Sequence, residues 1–383
     1  MSPLPAREFE RRFGRPAELV AEAPGRVNLI GEHTDYNDGL VLPIAIEQRT
    51  RVAVAARNDA QVRVVSEAFE GEATWTLGAW DRGRSPRWAA PIAGVLELLL
   101  RRGARLSGVD LYATSDVPVG SGLSSSAAIE VAVALAAANL GGEPLESNEV
   151  IDLCQAAEHE FAGVPCGIMD QSTALLGRAG AALLLDCRTR QVEYQPLKLA
   201  NHALVLVDSG VRHELANSEY ARRRDECRRA AEYFRAVSGD VRTLRDVSAE
   251  TLRAHAGQLE PSLVPRASHV ISENARVLAA TEALRRGDWD GLGRLLIASH
   301  RSLRDDFEVS CRELDRIVSI ACRISGVLGA RLVGGGFGGR VLVLAREHAV
   351  DVLRKALGAN CGATVAESML QVHAARGASF AWV

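Results

Sequence analysis

The sequence predicts an α+β fold. Short β-branched segments cluster in the first 75 residues, whereas long helical segments dominate the second half of the chain. Strands and helices do not alternate regularly, which argues against a doubly wound parallel sheet. The chain has 383 residues, and because domains average roughly 150 residues, more than one domain is expected.

Hydrophobic spacing predicts the elements of the first half. Strands are expected where β-branched residues partly alternate with polar ones, at residues 26–31, 40–46, 51–55, 62–65, 109–114, 181–186 and 202–208. Helices are expected at about 88–102, 124–140 and 147–161, where serine or glycine bounds longer apolar segments. A polar hairpin region is expected between the last two strands.

The second half is predicted to be mainly helical. Helices are expected at about 214–237, 263–286, 288–304, 310–325 and 347–358. Strands are expected at about 330–333, 340–344 and 368–374, and the first two flank a glycine-rich turn. A weakly marked domain boundary is expected near residues 190–200.

Composition excludes several classes of protein. The net charge of −3 provides no basic footprint for nucleic acid. The apolar stretch at 127–140 is shorter than the roughly 20 residues that span a bilayer, and the N-terminus lacks the apolar core of a signal peptide. Seven scattered cysteines are typical of free thiols in a reducing cytoplasm. We therefore expect a cytoplasmic protein, with neither a membrane anchor nor an obligatory protein partner.

The lysine content excludes two classes of nucleotide-binding site. The chain has only two lysines, Lys198 and Lys355. Neither lies in a P-loop or in the strand that carries the phosphate-binding lysine of protein kinases. A protein of this composition that handles nucleotide phosphates must do so without a motif lysine.

A glycine- and serine-rich segment at 118–128 predicts a phosphate site. Gly120 and Gly122 allow the backbone to approach a ligand closely, and Ser124–Ser126 precede an apolar helix. Free N–H groups at the start of a helix bind anions. The alternative is a plain loop with a serine cap, but three consecutive serines exceed what a cap needs.

A second glycine-rich segment, at 334–339, is ambiguous from the residues alone. It matches G-x-G-x-x-G, but a strand follows it where the dinucleotide-binding fingerprint requires a helix. A glycine-rich hairpin and a turn that passes close to a ligand both fit this pattern.

Two further segments carry clustered polar groups. Glu32, His33 and Asp35 gather beside an apolar strand, and such groups hydrogen-bond polyhydroxylated ligands; the alternative is a polar loop, and 37–39 is expected to be a simple turn. Asp170, with Glu158 twelve residues upstream, is a candidate general base or metal ligand. By themselves these two acids would more often be a helix cap and a solvated helix face.

Taken together, the four motifs resemble those of the galactokinase family, within the GHMP small-molecule kinase superfamily. The segment 25–39 resembles the galactokinase signature, 118–128 the superfamily phosphate loop and 329–339 its C-terminal glycine motif. The segment 166–171 resembles the one that bears the catalytic aspartate, and 211–220 one whose tyrosine faces the sugar. The resemblance covers about residues 10–375 in the family's order.

This resemblance implies a two-domain GHMP kinase fold. A mixed-sheet N-terminal domain at 1–197 would bind the sugar and ATP, and a helix-rich C-terminal domain would occupy 198–383, with the active site between them. The implied reaction is the ATP-dependent phosphorylation of the anomeric hydroxyl of D-galactose, with Mg²⁺ as cofactor, in galactose metabolism. Phosphate stabilisation by backbone amides, Mg²⁺ and arginine fits the scarcity of lysine.

The resemblance also implies a role for individual residues. Asp170 would accept the anomeric proton, and Arg26 would stabilise charge and keep Asp170 ionised. The implied sugar contacts are Glu32, His33, Thr34, Asp35, Gly167 and Tyr220. The implied ATP contacts are Ser66, Gly120, Ser121, Gly122, Leu123, Ser124, Ser125 and Ser126. Ser126 and Glu158 would lie near Mg²⁺.

Two residues depart from the family pattern, and two alternative functions remain open. Arg340 stands where the family more often has a small residue or cysteine, and Gly335 where it often has alanine. One alternative is a 1-kinase for N-acetylgalactosamine, arabinose or galacturonate, although Thr34 and the 37–39 turn favour galactose. Another is a non-catalytic galactose sensor, but the serine motif and Asp170 are intact.

Overall fold

The computed structural model describes residues 4–118, 120, 122–211 and 216–383. Its strands are β1 (Leu19–Asn28), β2 (Leu40–Val41), β3 (Pro43–Ala56), β4 (Gln61–Ser66), β5 (Glu72–Thr76), β6 (Val109–Ser115), β7 (Ala181–Asp186), β8 (Val192–Pro196), β9 (His202–Asp208), β10 (Val327–Val333), β11 (Arg340–Arg346), β12 (Leu370–Val372) and β13 (Ser379–Trp382). Its helices are α1 (Leu4–Phe13), α2 (Ala90–Arg101), α3 (Ser125–Leu140), α4 (Ser147–Ala157), α5 (Met169–Leu176), α6 (Ala216–Ser238), α7 (Ala249–His255), α8 (Leu263–Arg286), α9 (Trp289–Asp305), α10 (Arg312–Ala321), α11 (Val350–Cys361) and α12 (Ala363–Glu367).

The strands form three sheets. The largest has the order β13-β1-β3-β6-β4-β5 and is antiparallel except between β4 and β6. The second has the order β10-β11-β9-β12 and is antiparallel throughout, and the third joins β2, β7 and β8. Helices α2, α3 and α4 pack with the first sheet, whereas most of the later helices pack with the second. The predicted α+β class is confirmed.

Helix α3 is buried because nearly all of its side chains are apolar and small. It contacts β1 and β3 on one side and α2, α4 and α5 on others. A helix that is apolar all round is stable only when surrounded by protein. Alanine at many of its positions lets the backbones approach closely, so the start of α3 is held rigidly beneath the serine-rich segment.

The second sheet is buried on both faces, and its residue alternation shows this directly. In β9, Val205 and Val207 pack with the C-terminal helices, while Leu204 and Leu206 pack against residues that follow β1 and precede β3. Strand β11 repeats the pattern, because Val341 and Val343 belong to the first of these cores and Leu342 and Leu344 to the other. A continuous apolar strand is the expected sequence of such a doubly covered sheet. The two halves of the chain therefore share one interface core.

Several element boundaries differ from the prediction. Strand β1 begins at Leu19, earlier than predicted. The sequence did not reveal this start, because Glu22, Pro24 and Gly25 interrupt the alternation of apolar and polar residues. The pairing of β1 with β3 is shifted in register between Pro24 and Arg26. Strand β3 is one strand of 14 residues where two were predicted. Helices α1, α5, α7 and α12 and strands β5, β8 and β13 are additional elements. Each of these additions is ten residues or shorter, so its hydrophobic pattern is weak.

The last strand returns to the beginning of the chain. Strand β13 pairs antiparallel with β1, so Ser379–Trp382 form an edge of the first sheet. We keep the division at residues 197 and 198 as a proposal, with β13 placed in the first unit. Within the described ranges, no helix combines the length and apolarity that a bilayer crossing requires.

Truncating Leu342 is expected to destabilise the whole protein, because its fully buried side chain fills the shared core. Leu342→Ala should cost about 2–5 kcal/mol of unfolding free energy, measured by chemical denaturation. The control Val352→Ala removes a side chain that is half exposed on α11 and should change stability by no more than about 0.5 kcal/mol. Equal effects from the two variants would contradict the shared core.

Candidate active site

Three segments converge on a cavity of about 490 Å³ between the two larger sheets. We call them the acidic loop (29–39), the serine loop (120–126) and the glycine loop (334–339). The cavity brings together most of the predicted site residues: Arg26, Glu32, His33, Asp35, Gly120, Gly122, Ser124, Ser125, Ser126, Glu158, Asp170 and Tyr220. Ser121 lies outside the described residues.

Arg26 and Asp170 form the centre of this cavity. The Arg26 Nε and Nη2 atoms each donate to one carboxylate oxygen of Asp170, and both distances are 2.8 Å. Arg26 Nη1 donates to the Gly122 carbonyl at 2.6 Å, and the Ser124 hydroxyl donates to Asp170 Oδ2. Burial lowers the pKa of Arg26, but the Asp170 and Glu32 carboxylates raise it overall. The Arg26 guanidinium therefore stays charged.

The serine loop adopts a backbone conformation that explains its glycines. Gly120 and Gly122 have φ values of +66° and +77°, in the left-handed region that glycine enters without strain. Ser124 also has a positive φ of 57°, and helix α3 begins at the next residue. The Leu123 side chain is buried in the core, while its carbonyl accepts from the Arg26 N–H at 3.1 Å. Leu123 is not among the described residues that line the cavity, and its contact with ATP stays a prediction.

Three residues of the acidic loop, Glu32, His33 and Asp35, line the cavity, and each has different hydrogen-bond partners. Glu32 is buried, and its carboxylate accepts from the Gly334 N–H at 2.8 Å and from Asn28 at 2.8 Å, with Arg331 Nη2 3.1 Å away. His33 has its Nδ1 atom 2.8 Å from the Tyr36 hydroxyl. Glu32 therefore ties the acidic loop to the glycine loop as well as facing the cavity.

Burial shifts the pKa values of His33 and Asp35 in the acidic loop. It lowers the pKa of His33 to about 3, with His269 adding to the effect, so the imidazole is neutral near pH 7. It raises the pKa of Asp35 to about 7, and the negative charge of Asp170 contributes. The site thus has a neutral imidazole and a carboxyl group that titrates near neutrality.

Gly167 is required because Asp35 lies directly against it. A β-carbon on Gly167 would lie 2.2 Å from Asp35 Oδ2, which is far inside van der Waals contact. The 163–168 segment and the acidic loop therefore fit together only with glycine at this position. Gly167 acts on the cavity through Asp35.

Thr34 is not among the described residues that line the cavity. Its side chain is fully buried, and its hydroxyl oxygen lies 2.8 Å from the Gly31 carbonyl and 2.7 Å from the Leu40 carbonyl. These internal contacts stabilise the conformation of the acidic loop. The contact between Thr34 and the sugar stays a prediction.

Glu158 and Ser126 lie together at one end of the cavity. Glu158 begins a π-helical turn, Glu158–Ala162, that continues α4, and such turns often occur at functional sites. Burial raises the pKa of Glu158, against hydrogen bonds from Glu130 and Ser126 that lower it. Burial also raises the pKa of Glu130 well above its usual value, so Glu130 is the carboxyl that keeps a proton. Sequence reasoning missed Glu130 because the single acid of an alanine-rich helix does not show which neighbouring side chain it will contact.

A smaller, more apolar cavity of about 200 Å³ lies beside the serine loop. Ser125 and Ser126 line both cavities, so the two are adjacent. Ser66 lies here, with Phe69 and Trp88, whose rings stack at 5.4 Å. A flat ligand attached to a phosphate chain in the serine loop would fit this space. The two aromatic residues were not predicted, because they lie on a turn and at a helix start outside the recognised motifs.

Comparison with known proteins agrees with this geometry. A model named the galactokinase galactose-binding signature matches residues 7–56. Models of the GHMP kinase N-terminal and C-terminal domains match residues 91–178 and 280–363. The galactokinase of Chloroflexus aurantiacus is 49% identical over 350 residues, which cover 91% of this chain and 89% of that protein. The chain belongs to the galactokinase family.

Other comparisons extend this assignment. The galactokinase of Thermotoga maritima is 43% identical over 88% of this chain and 93% of its own. The crystal structure of Lactococcus lactis galactokinase complexed with galactose matches with a TM-score of 0.91 and 32% identity, and covers 98% of each chain. A mevalonate kinase from Methanococcus jannaschii, at 18% identity and a TM-score of 0.65, shares the fold.

The structure accounts for Arg340, one of the two departures from the galactokinase pattern. Its guanidinium lies 3.0 Å from the Asp208 carboxylate, and the two residues face each other across the β9–β11 ladder. The larger side chain is thus accommodated as a cross-strand ion pair at the base of the glycine loop. The other departure, Gly335, lies against Tyr220.

Galactose affinity is expected to depend on pH through Asp35. Its pKa is raised to about 7, so the carboxyl is mostly protonated at pH 6 and mostly ionised at pH 8. An ionised carboxylate accepts hydroxyl hydrogen bonds on both oxygens. We therefore expect the KM for galactose to fall as the pH rises from 6 to 8, measured by coupled assay at saturating ATP.

The matched variants are Asp35→Asn and Asp38→Asn. The first should raise KM and abolish its pH dependence over this range. The second removes a carboxylate from the same loop that faces Arg188 instead of the cavity, and should keep the native profile. An unchanged pH profile in Asp35→Asn would assign the titration to another group.

Proposed function

We propose that this protein transfers the γ-phosphoryl group of ATP to the anomeric hydroxyl of D-galactose, giving galactose 1-phosphate and ADP. Membership of the galactokinase family supports the reaction and the substrate. The observation that carries the proposal is the position of Asp170. It lies where the acidic loop and the serine loop meet, held by Arg26 on both carboxylate oxygens.

Asp170 is proposed as the catalytic base. Its side chain is 23% exposed, so it reaches the cavity although Arg26 and Ser124 bind it. The anomeric oxygen would form a bond to the γ-phosphorus as the bond from that phosphorus to the β–γ bridging oxygen breaks. The hydroxyl proton would pass to the Asp170 carboxylate. A carboxylate is a weak base, so this transfer is expected late, when the forming bond has acidified the hydroxyl.

We assign sugar recognition to the end of the cavity that lies away from Ser126 and Glu158. Glu32, His33, Asp35 and Tyr220 line it, and Gly167 supports Asp35. Because His33 is neutral and its Nδ1 atom contacts the Tyr36 hydroxyl, its Nε2 atom can donate or accept one hydrogen bond without adding charge. Several fixed polar groups around one small cavity would orient a polyhydroxylated ring, which brings a single hydroxyl towards Asp170.

ATP is assigned to the serine loop and the smaller cavity. The backbone N–H groups at the start of α3 would bind phosphate oxygens, because the positive end of the helix dipole lies there. The cavity lined by Ser66, Phe69 and Trp88 is proposed to hold the adenine. Arg26 would supply positive charge next to the transferring group.

Mg²⁺ is proposed between Ser126 and Glu158. Hydroxyl and carboxylate oxygens suit this ion, and kinase sites commonly provide only one or two protein ligands, because phosphate and water supply the rest. The Ser126 and Glu158 side chains are hydrogen-bonded to each other, so their oxygen atoms are adjacent. When bound, the ion would neutralise charge on the phosphates.

The cellular location and the small-molecule partners are also proposals. We place the enzyme in the cytoplasm, where ATP is available and thiols stay reduced; the seven cysteines are free in the structure. Galactose and ATP are the small-molecule partners that the reaction requires.

A panel of monosaccharides tests the proposed function. Galactose should be phosphorylated with a much higher kcat/KM than glucose, its C4 epimer. An epimer leaves at least one buried polar group unpaired, which costs about 1–3 kcal/mol, or roughly 5- to 150-fold in kcat/KM. The assay couples ADP release to NADH oxidation. Comparable values for the two sugars would contradict the proposed substrate.

A further inference from the structure

The Tyr220 ring, at the sugar end of the cavity, is enclosed on three sides. His33 lies 5.5 Å away and Tyr36 5.6 Å away between ring centroids. On a third side is the backbone of Gly335, where a β-carbon would lie 3.2 Å from Cδ2 and 3.6 Å from Cε2 of the tyrosine. The free side of the ring faces the cavity, which Gly335 also lines.

Backbone geometry does not require glycine at position 335. Its neighbours Gly334 and Gly336 both have φ values of +81°, which disfavour any other residue, whereas the φ of Gly335 lies outside this region. A β-carbon on Gly336 would also lie 2.3 Å from the Val309 carbonyl oxygen. Among the described residues, only the Tyr220 ring has atoms within 4 Å of such a β-carbon at Gly335. Glycine here allows that ring to lie directly against the backbone.

The side chains behind Tyr220 are themselves fixed. His33 packs on Phe307 with ring centroids 4.6 Å apart, and its Nδ1 atom lies 2.8 Å from the Tyr36 hydroxyl. The ring therefore has little room to retreat from a methyl group on residue 335. Such a methyl group would either move the ring into the cavity or occupy cavity space itself. Both outcomes narrow the sugar end.

We propose that Gly335 determines sugar specificity, because its missing side chain lets the Tyr220 ring lie against the backbone and keeps the ring out of the space that the sugar would occupy. The proposal rests on the proposed galactose 1-kinase activity. It predicts that the native enzyme phosphorylates at least one galactose in which a hydroxyl away from C1 is O-methylated. An alanine at position 335 would push the ring towards the sugar and restrict the enzyme to the unsubstituted substrate.

The experiment compares native enzyme and Gly335→Ala on galactose and on its 2-, 3-, 4- and 6-O-methyl ethers. One methyl group in a tight pocket changes discrimination by about 10- to 200-fold. For at least one ether, the variant should lose at least 10-fold more kcat/KM than it loses for galactose. The loss should lie mainly in KM, and calorimetry should show the same loss of ether binding.

Gly257→Ala is the matched control, because its β-carbon would meet nothing within 4 Å; it should leave every ratio of ether to galactose unchanged. Equal losses for galactose and all ethers in Gly335→Ala would overturn the proposal and indicate a structural role. Rejection of all four ethers by the native enzyme would also overturn it, whether or not the variant folds. Failure to phosphorylate galactose itself would instead refute the proposed function.

Discussion

The Arg26 guanidinium is the contact on which the active site depends. It binds both oxygens of Asp170 and the carbonyl of Gly122, which lie 144 and 96 residues away along the chain. Planar two-point pairing fixes direction as well as distance, which a single point charge cannot do. One buried side chain therefore aligns Asp170, the proposed base, with the serine loop, the proposed phosphate site. Removing it would leave a carboxylate without its counter-charge, a costly state in a buried site.

Two parts of the fold, helix α3 and the second sheet, hold these loops in position. Helix α3 is packed on several sides by apolar elements, which fixes the serine loop at its start. The second sheet alternates its side chains between two cores, which fixes the glycine loop between β10 and β11 against the first half of the chain. Glu32 joins these parts, because it accepts from Gly334 and lies beside Arg331. The carboxylate that lines the cavity and is proposed to bind the sugar thus also holds the glycine loop in place.

Sequence analysis predicted which residues line the cavity better than it predicted the boundaries of the elements. Motifs named these residues because glycines, serines and acids at fixed spacing carry their own physical signature. Thr34 is buried and does not line the cavity with most of the other described motif residues; a motif does not reveal which of its side chains turns inwards. Glu130, Phe69 and Trp88 were missed because burial and stacking depend on tertiary packing, which a local pattern does not encode. Strand β13 was missed for the same reason, since its partner lies at the other end of the chain.

The central claim is that Arg26 and Asp170 act as one unit in phosphoryl transfer. A double-mutant cycle on single-turnover rates, with Asp170→Asn, Arg26→Ala and the double variant, tests it most directly. The account predicts that Asp170→Asn keeps its fold and its galactose binding but loses about 10²–10⁴-fold in rate. The double variant should lose far less than the product of the single losses. Near-native turnover in Asp170→Asn, or strictly multiplicative losses, would contradict the account.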